Sequence, residues 1–170
     1  MYDKILVPTD GSEGTRKAVN HALAIAEKFG SELNVVYVIN TSAYSTLPAE
    51  ANWESVTSAL RKEGRAATSG IIEEAEGRGV DVEKSIKEGV PHREILEYVD
   101  EEDIDLVVMG THGKTGLDRF LLGSVTEKVV RSCHQPVLTV KLSDDEMEDE
   151  GEVGEVDESD GNSGDEDTGD

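Results

Sequence analysis

Basic residues are scarce in this chain: 16 Lys and Arg face 38 Asp and Glu, a formal net charge of −22 at pH 7. Nucleic-acid backbones need clustered Lys and Arg to displace their counterions, so this balance argues against nucleic-acid binding. Cysteine is nearly absent as well. With Cys133 alone no intrachain disulfide can form, and a reducing compartment is expected. No stretch reaches the roughly 18 continuous apolar residues of a membrane-spanning helix. The N-terminus runs straight into Lys4-Ile5-Leu6-Val7, without a basic n-region or a long apolar h-region. The expectation is a cytoplasmic protein with no membrane contact.

The charge is unevenly placed. Residues 143–170 hold 15 of the 38 acidic side chains and no Lys or Arg, leaving 23 acidic against 16 basic residues in 1–142. Like charge at that density resists collapse, and only Met147, Val153 and Val156 offer apolar surface there. The reading is one globular domain over 1–142, long enough for a sizeable core, followed by a disordered acidic tail over 143–170. A carboxylate surplus in the globular part as well suggests a high-salt, halophilic cytoplasm, in which dense surface charge aids solubility.

Within 1–142 short β-branched runs alternate with helical patterns. Lys4–Thr9 predicts a first strand, its Ile5-Leu6-Val7 run fit for burial on both faces. Ser12–Phe29 predicts a helix with Ala18, Ala22, Leu23, Ile25, Ala26 and Phe29 on one face, closed by Gly30 at the C-cap. Glu32–Ile39 predicts a second strand, and the polar stretch 40–50 a loop. Trp53–Arg78 reads as a long helix through Val56, Leu60, Ala67, Ile71 and Ala75, with Gly77 and Gly79 at its end. Val80–Ile86, carrying two lysines, reads as an edge strand. Pro91 opens a short helix through Ile95, Leu96 and Val99. Ile104–Met109 is a fourth strand, about Ser124–Ser132 a last helix, and Val137–Leu142 a fifth strand. This β-α alternation predicts an α/β fold, an open five-stranded parallel sheet with helices on both faces.

Ligands of such sheets bind beyond the carboxyl ends of the strands. Two strand ends carry suitable chemistry: Pro8-Thr9-Asp10-Gly11-Ser12, and Met109-Gly110-Thr111-His112-Gly113-Lys114 running on to Gly123-Ser124-Val125-Thr126. The second has Gly, two residues, Gly, nine residues, Gly-Ser. Glycine lets main-chain N–H groups approach an anion closely and adopt positive φ. The start of the last helix adds unpaired N–H groups and a favourable dipole. Ser124 with Glu127 also has the spacing of a capping box, in which Ser124 would be a plain N-cap. A P-loop is excluded because Val108 stands where its first glycine belongs, and Asp10–Gly14 lacks the Gly-x-Gly-x-x-Gly dinucleotide pattern.

These segments resemble the universal stress protein family over about 1–142, the tail lying outside the resemblance. Gly110-x2-Gly113-x9-Gly123-Ser124 is similar to the motif of that family's ATP-binding branch at every fixed position. The resemblance implies a Rossmann-like sheet of order 3-2-1-4-5. It implies that Pro8 and Asp10 lie beside an adenosine, with Asp10 near the ribose or a phosphate-bound Mg²⁺ or Mn²⁺. Val38 would offer main-chain hydrogen bonds to adenine, and Met109 would pack near the base. Gly110, Gly113, Gly123, Ser124, Val125 and Thr126 would line the ribose and phosphates, with Thr111, His112 and Lys114 in reach. ATP, ADP and AMP all contain the adenosine such a pocket reads. The family also dimerises through its last strand, so a homodimer through Val137–Leu142 is expected; as an apolar edge strand it invites pairing in any case.

The remaining candidates have plainer readings. Asp10 also suits a turn, Lys114 and Arg119 suit solvated loop charges, and Gly116 follows the pattern less tightly. His112 has no partnered Ser, Cys or acid at a readable spacing, so no catalytic residue is assigned. Cys133-His134 alone makes no metal site, and Cys133 is expected to pack as a small apolar group. His21 and His92 read as ordinary helix residues, and the tail lacks the spacing of an EF-hand. The expected function is adenine-nucleotide binding in stress response or regulation. A slow ATP hydrolase or kinase-like enzyme and a nucleotide-free dimeric scaffold are the alternatives.

Overall fold

The computed structural model describes residues 1–44, 53–113 and 122–141. Along the chain run β1 (Lys4–Pro8), α1 (Glu13–Phe29), β2 (Glu32–Asn40), a 3₁₀ turn (Thr41–Tyr44) and α2 (Trp53–Gly77). Then follow β3 (Val82–Gly89), α3 (Pro91–Glu101), β4 (Leu106–Gly110), α4 (Ser124–Ser132) and β5 (Val137–Val140). The strands form one sheet in the order β3-β2-β1-β4-β5, every pairing parallel, as the alternation and the resemblance predict.

The period of two along the strands divides the core between the sheet's two faces. Ile5, Val7, Leu33, Val35, Leu106 and Val108 pack with Ala18, Leu23, Ile71 and Ala75 of α1 and α2. Leu6, Val36, Val107 and Met109 point the other way, onto Ile95 and Val99 of α3 and Val129 of α4. Each fully buried Leu, Ile or Val side chain stabilises the fold by about 1.5–3 kcal/mol, so both faces contribute. Cys133 packs against the second cluster as a partly buried apolar group, in accord with its sequence reading.

Several boundaries differ from the sequence reading for local reasons. β3 begins at Val82, because Gly79 turns into the left-handed region (φ 69°) and the Val80 N–H donates to the Ala75 carbonyl at 2.9 Å. Val80 therefore closes α2 and starts no strand. β4 begins at Leu106, because the Ile104 N–H still closes α3 through the Val99 carbonyl at 3.1 Å. Gly30 does cap α1 in the left-handed region, and Pro91 does open α3. Phe29 is 46 % exposed and only edges Tyr2, so it drops out of the buried face of α1. The predicted loop 40–50 is represented by β2's last residue and the 3₁₀ turn. Residues 45–50 lie outside the described residues, as do Lys114, Gly116, Arg119, Leu142 and the tail.

Candidate functional site

β1 lies between β2 and β4, and the chain reaches those neighbours in opposite directions from it. The loops leaving β1 and β4 therefore part above the sheet, opening a crevice at the carboxyl edge. A cavity of about 330 Å³ occupies this place. Its walls include Pro8, Asp10, Val38, Met109, Gly110, His112, Gly113, Gly123, Ser124, Val125 and Thr126, residues far apart in sequence but marked out there. Thr111 is not a wall residue. Its hydroxyl lies 2.9 Å from His112 Nδ1, its N–H donates to the Val140 carbonyl at 2.9 Å, and its carbonyl accepts the Gly123 N–H at 2.8 Å.

At one end of the crevice the sheet itself supplies polar groups. β1 and β2 pair as far as Pro8 and Val36, and the Val36 carbonyl accepts the Thr9 N–H at 2.9 Å. Main-chain groups of alternate residues on a parallel strand face the same neighbour. Val38 thus faces the side of β1, but β1 has already turned away at Asp10. Its N–H and C=O, one donor and one acceptor on a single residue, open onto the cavity.

At the other end stands α4. Its first helical bond runs from the Glu127 N–H to the Gly123 carbonyl at 2.8 Å, so the N–H groups of Ser124, Val125 and Thr126 have no partner within the helix. All three residues border the cavity. Gly123 is the N-cap and Ser124 the first helical residue, so the capping box does not form; Glu127 pairs with Arg131 at 3.0 Å. The Thr126 hydroxyl donates to the Gly110 carbonyl at 2.9 Å and ties α4 to the end of β4.

The motif glycines serve a different purpose from the one their spacing suggested. None of Gly110, Gly113 and Gly123 has a positive φ; that conformation occurs at Gly11 (φ 80°), whose absent side chain faces the Ala67 Cβ. What the three permit is close approach. A Cβ at 110 would strike the Gly14 carbonyl of α1, one at 113 the Asp10 carboxylate, and one at 123 would lie 3.0 Å from the Thr111 carbonyl oxygen.

Asp10 both shapes its turn and borders the cavity. Its Oδ1 accepts the Ser12 N–H at 3.0 Å and the Ser12 hydroxyl at 2.6 Å, with the Thr15 hydroxyl at 3.3 Å. These contacts fix the carboxylate with Oδ2 toward Gly113. His112 Nε2 is the one buried side-chain polar atom among the described residues without a hydrogen-bond partner. On α3, partial burial and the charges of Lys128 and Arg93 hold His92 below its ordinary pKa. Among the described residues no three His, Cys, Asp or Glu side chains gather as a metal site.

The sequence reading missed the walls supplied from a distance. Tyr37, Ile39 and Asn40 of β2, Leu60 and Glu63 of α2, and Pro91 and Ile95 of α3 also border the cavity. Asn40 had a usable signal, standing two residues beyond Val38 at the same strand end. The α2 and α3 residues had none.

The universal stress protein family model matches residues 1–141. The universal stress protein MJ0531 of Methanocaldococcus jannaschii is 45 % identical over 141 residues, 83 % of each chain. This chain belongs to the universal stress protein family. The solved structure of MJ0577, a second universal stress protein of Methanocaldococcus jannaschii, superposes with a TM-score of 0.77 at 36 % identity, covering 85 % of this universal stress protein and 99 % of that one. A universal stress protein solved in complex with cAMP superposes with a TM-score of 0.61 at 27 % identity, covering 84 % and 98 %. No helix among the described residues of this universal stress protein is long and apolar enough to cross a membrane.

Proposed function

We propose that this universal stress protein binds an adenine nucleotide, ATP, ADP or AMP, in the crevice between β1 and β4, and that occupancy alters the loops around it. The observation that carries this reading is the Val38 main chain. Adenine presents a donor at N6 beside an acceptor at N1, complementary to the C=O and N–H that Val38 turns toward the cavity. The base would lie over Val38 between Met109, Pro91 and Ile95, the ribose near Pro8 and Asp10, and the phosphates at Gly110, Gly113, Gly123 and the N–H groups of Ser124 to Thr126. Thr111 would act through its bonds to His112 and Gly123. Lys114, outside the described residues, is assigned to the phosphate end by its place in the motif alone. A relative at 27 % identity is solved with cAMP, which supports an adenine ligand for the same crevice.

Mg²⁺ or Mn²⁺ fits this site only as a companion of the phosphates, because Asp10 is the one motif carboxylate among the described walls and no three-ligand cluster stands beside it. Such an ion would offset phosphate charge, with Asp10 as its protein-side neighbour. The test is titration calorimetry at matched ionic strength with ATP, AMP and GTP, with Mg²⁺ supplied. Adenylates should bind, and GTP about tenfold or more weakly, since its edge offers the reverse order of donor and acceptor. No heat with any adenylate overturns the reading.

Three further readings accompany it. A homodimer forms through β5, whose outer edge is unpaired among the described residues, with Leu138 38 % and Val130 44 % exposed nearby. Monomeric light scattering at micromolar concentration would count against that. The domain ends near residue 142 and the acidic tail follows, in a cytoplasmic protein. A high-salt cytoplasm accounts for the carboxylate surplus if the thermal midpoint rises between about 0.1 and 2 M KCl; a flat or falling midpoint removes that reading.

A further inference from the structure

β5 runs parallel to β4, so the chain leaves the sheet at the same edge as the crevice. Val140 pairs with Gly110, a cavity wall, and its carbonyl accepts the Thr111 N–H at 2.9 Å. The Thr111 carbonyl in turn accepts the Gly123 N–H at 2.8 Å, where α4 begins. Three hydrogen-bonded neighbours thus join the departing chain to the helix end that faces the cavity. The first acidic residue beyond, Asp144, is four residues past Val140, within about 14 Å of chain. Residues 143–170 bring 15 carboxylates to that anchor and no cation. The cavity does not offset them: its described walls carry Asp10 and Glu63 but no Lys or Arg.

We propose that residues 143–170 make the crevice select its ligand by charge, repelling polyphosphate at low ionic strength and admitting it as salt screens the tail. The proposal rests on the adenine-nucleotide reading and adds regulation to it. Coulomb repulsion between a tethered polyanion and a ligand scales with the ligand's charge, so ATP is opposed several times more than a monoanionic adenylate, and neutral adenosine not at all. Screening lengths shrink from about 30 Å at 0.01 M salt to about 8 Å at 0.15 M, which spans the distances involved. The result is an unusual sign. Anion sites ordinarily weaken with added salt; this one tightens for ATP.

The experiment measures dissociation constants for ATP and adenosine, without divalent cation, from about 20 to 500 mM KCl. It uses the full chain and a full-length variant whose 15 Asp and Glu of residues 143–170 are changed to Asn and Gln. Expected for the full chain is a tightening of ATP by about tenfold or more, with adenosine changing less than about twofold. In the variant the ATP tightening should vanish. If ATP weakens with KCl to the same extent in both chains while adenosine binds, the charge selection is overturned and the adenine site stands. If neither ligand binds either chain, the site assignment falls and the charge selection with it.

Discussion

A side chain at position 113 would run into the Asp10 carboxylate, so the second glycine of the motif is set by a partner at the end of β1, not by its own backbone angle. Gly113→Ala should therefore leave the fold standing but disturb the turn at Asp10 that faces the crevice. ATP affinity should fall about tenfold or more, with a thermal midpoint within a few degrees of the parent. Gly110→Ala differs in kind, since its Cβ meets the Gly14 main-chain carbonyl, which cannot swing aside. That variant should lose about 1–3 kcal/mol of stability in urea unfolding. Equal stability losses in the two variants would refute the distinction.

Thr126 offers a second test. Its buried hydroxyl satisfies the Gly110 carbonyl at 2.9 Å and fixes the start of α4 against the end of β4. Thr126→Val keeps the shape but strands that carbonyl, at a cost of about 1–3 kcal/mol. The N–H groups of Ser124 and Val125 lose their fixed aim at the same time, so ATP affinity should drop more than adenosine affinity. Calorimetry with both ligands separates the two effects.

The contrast between Gly113 and Leu60 shows what the sequence makes legible. Strand periodicity, the caps at Gly30 and Pro91 and the β-α alternation are local signals, and they yield the element order and the sheet. The Gly-x2-Gly-x9-Gly-Ser run is local as well, and it marks one side of the crevice. Leu60 and Glu63 carry no signal, because their place on the wall follows from how α2 crosses the sheet beside Tyr37, with Gly64 packed on the ring. Val80 misled for a related reason: a buried β-branched residue closing a helix looks like the first residue of a strand. The glycine chemistry was misjudged because φ angles and close approaches are tertiary facts, and spacing alone cannot separate them.

At the opposite edge of the sheet, Asp105 accepts the N–H groups of Asp3 at 2.8 Å and Lys4 at 2.9 Å, clamping the start of β1. The Lys4 and Asp3 N–H bonds hold its carboxyl below the ordinary range, against the opposing effect of partial burial. A carboxyl whose pKa is lowered on folding contributes stability above its unfolded value of about 3.9, and loses it as pH falls through the folded value. Asp105→Asn should cost about 1 kcal/mol at pH 7, a figure reduced for solvent screening, and should flatten the loss of urea stability on acidification below about pH 4. An acid limb of unchanged steepness would show that other carboxylates dominate it.

Tyr98 makes the converse case. From α3 its hydroxyl donates to Asn34 Oδ1 at 2.9 Å, and Asn34, fully buried in β2, donates through Nδ2 to Glu32 at 2.9 Å. Burial, then the charges of Glu83, Glu102 and Glu32, push the phenol up to about 12. Folding therefore favours the neutral phenol. The stability it brings is complete below the unfolded value of about 10 and disappears as pH rises from there toward about 12. Tyr98→Phe should cost about 1–3 kcal/mol at pH 8, because Asn34 keeps a buried oxygen with no donor. It should also shrink the stability lost between pH 9 and 11 by circular dichroism, roughly the range in which the unfolded phenol titrates. Adding Asn34→Leu to Tyr98→Phe removes the stranded oxygen and frees Glu32 to solvent, so the double variant should be more stable than Tyr98→Phe alone. If instead the two costs simply add, the hydrogen bond is not what fastens α3 to β2, and packing of the ring on the Leu6 and Val36 cluster carries that contact by itself.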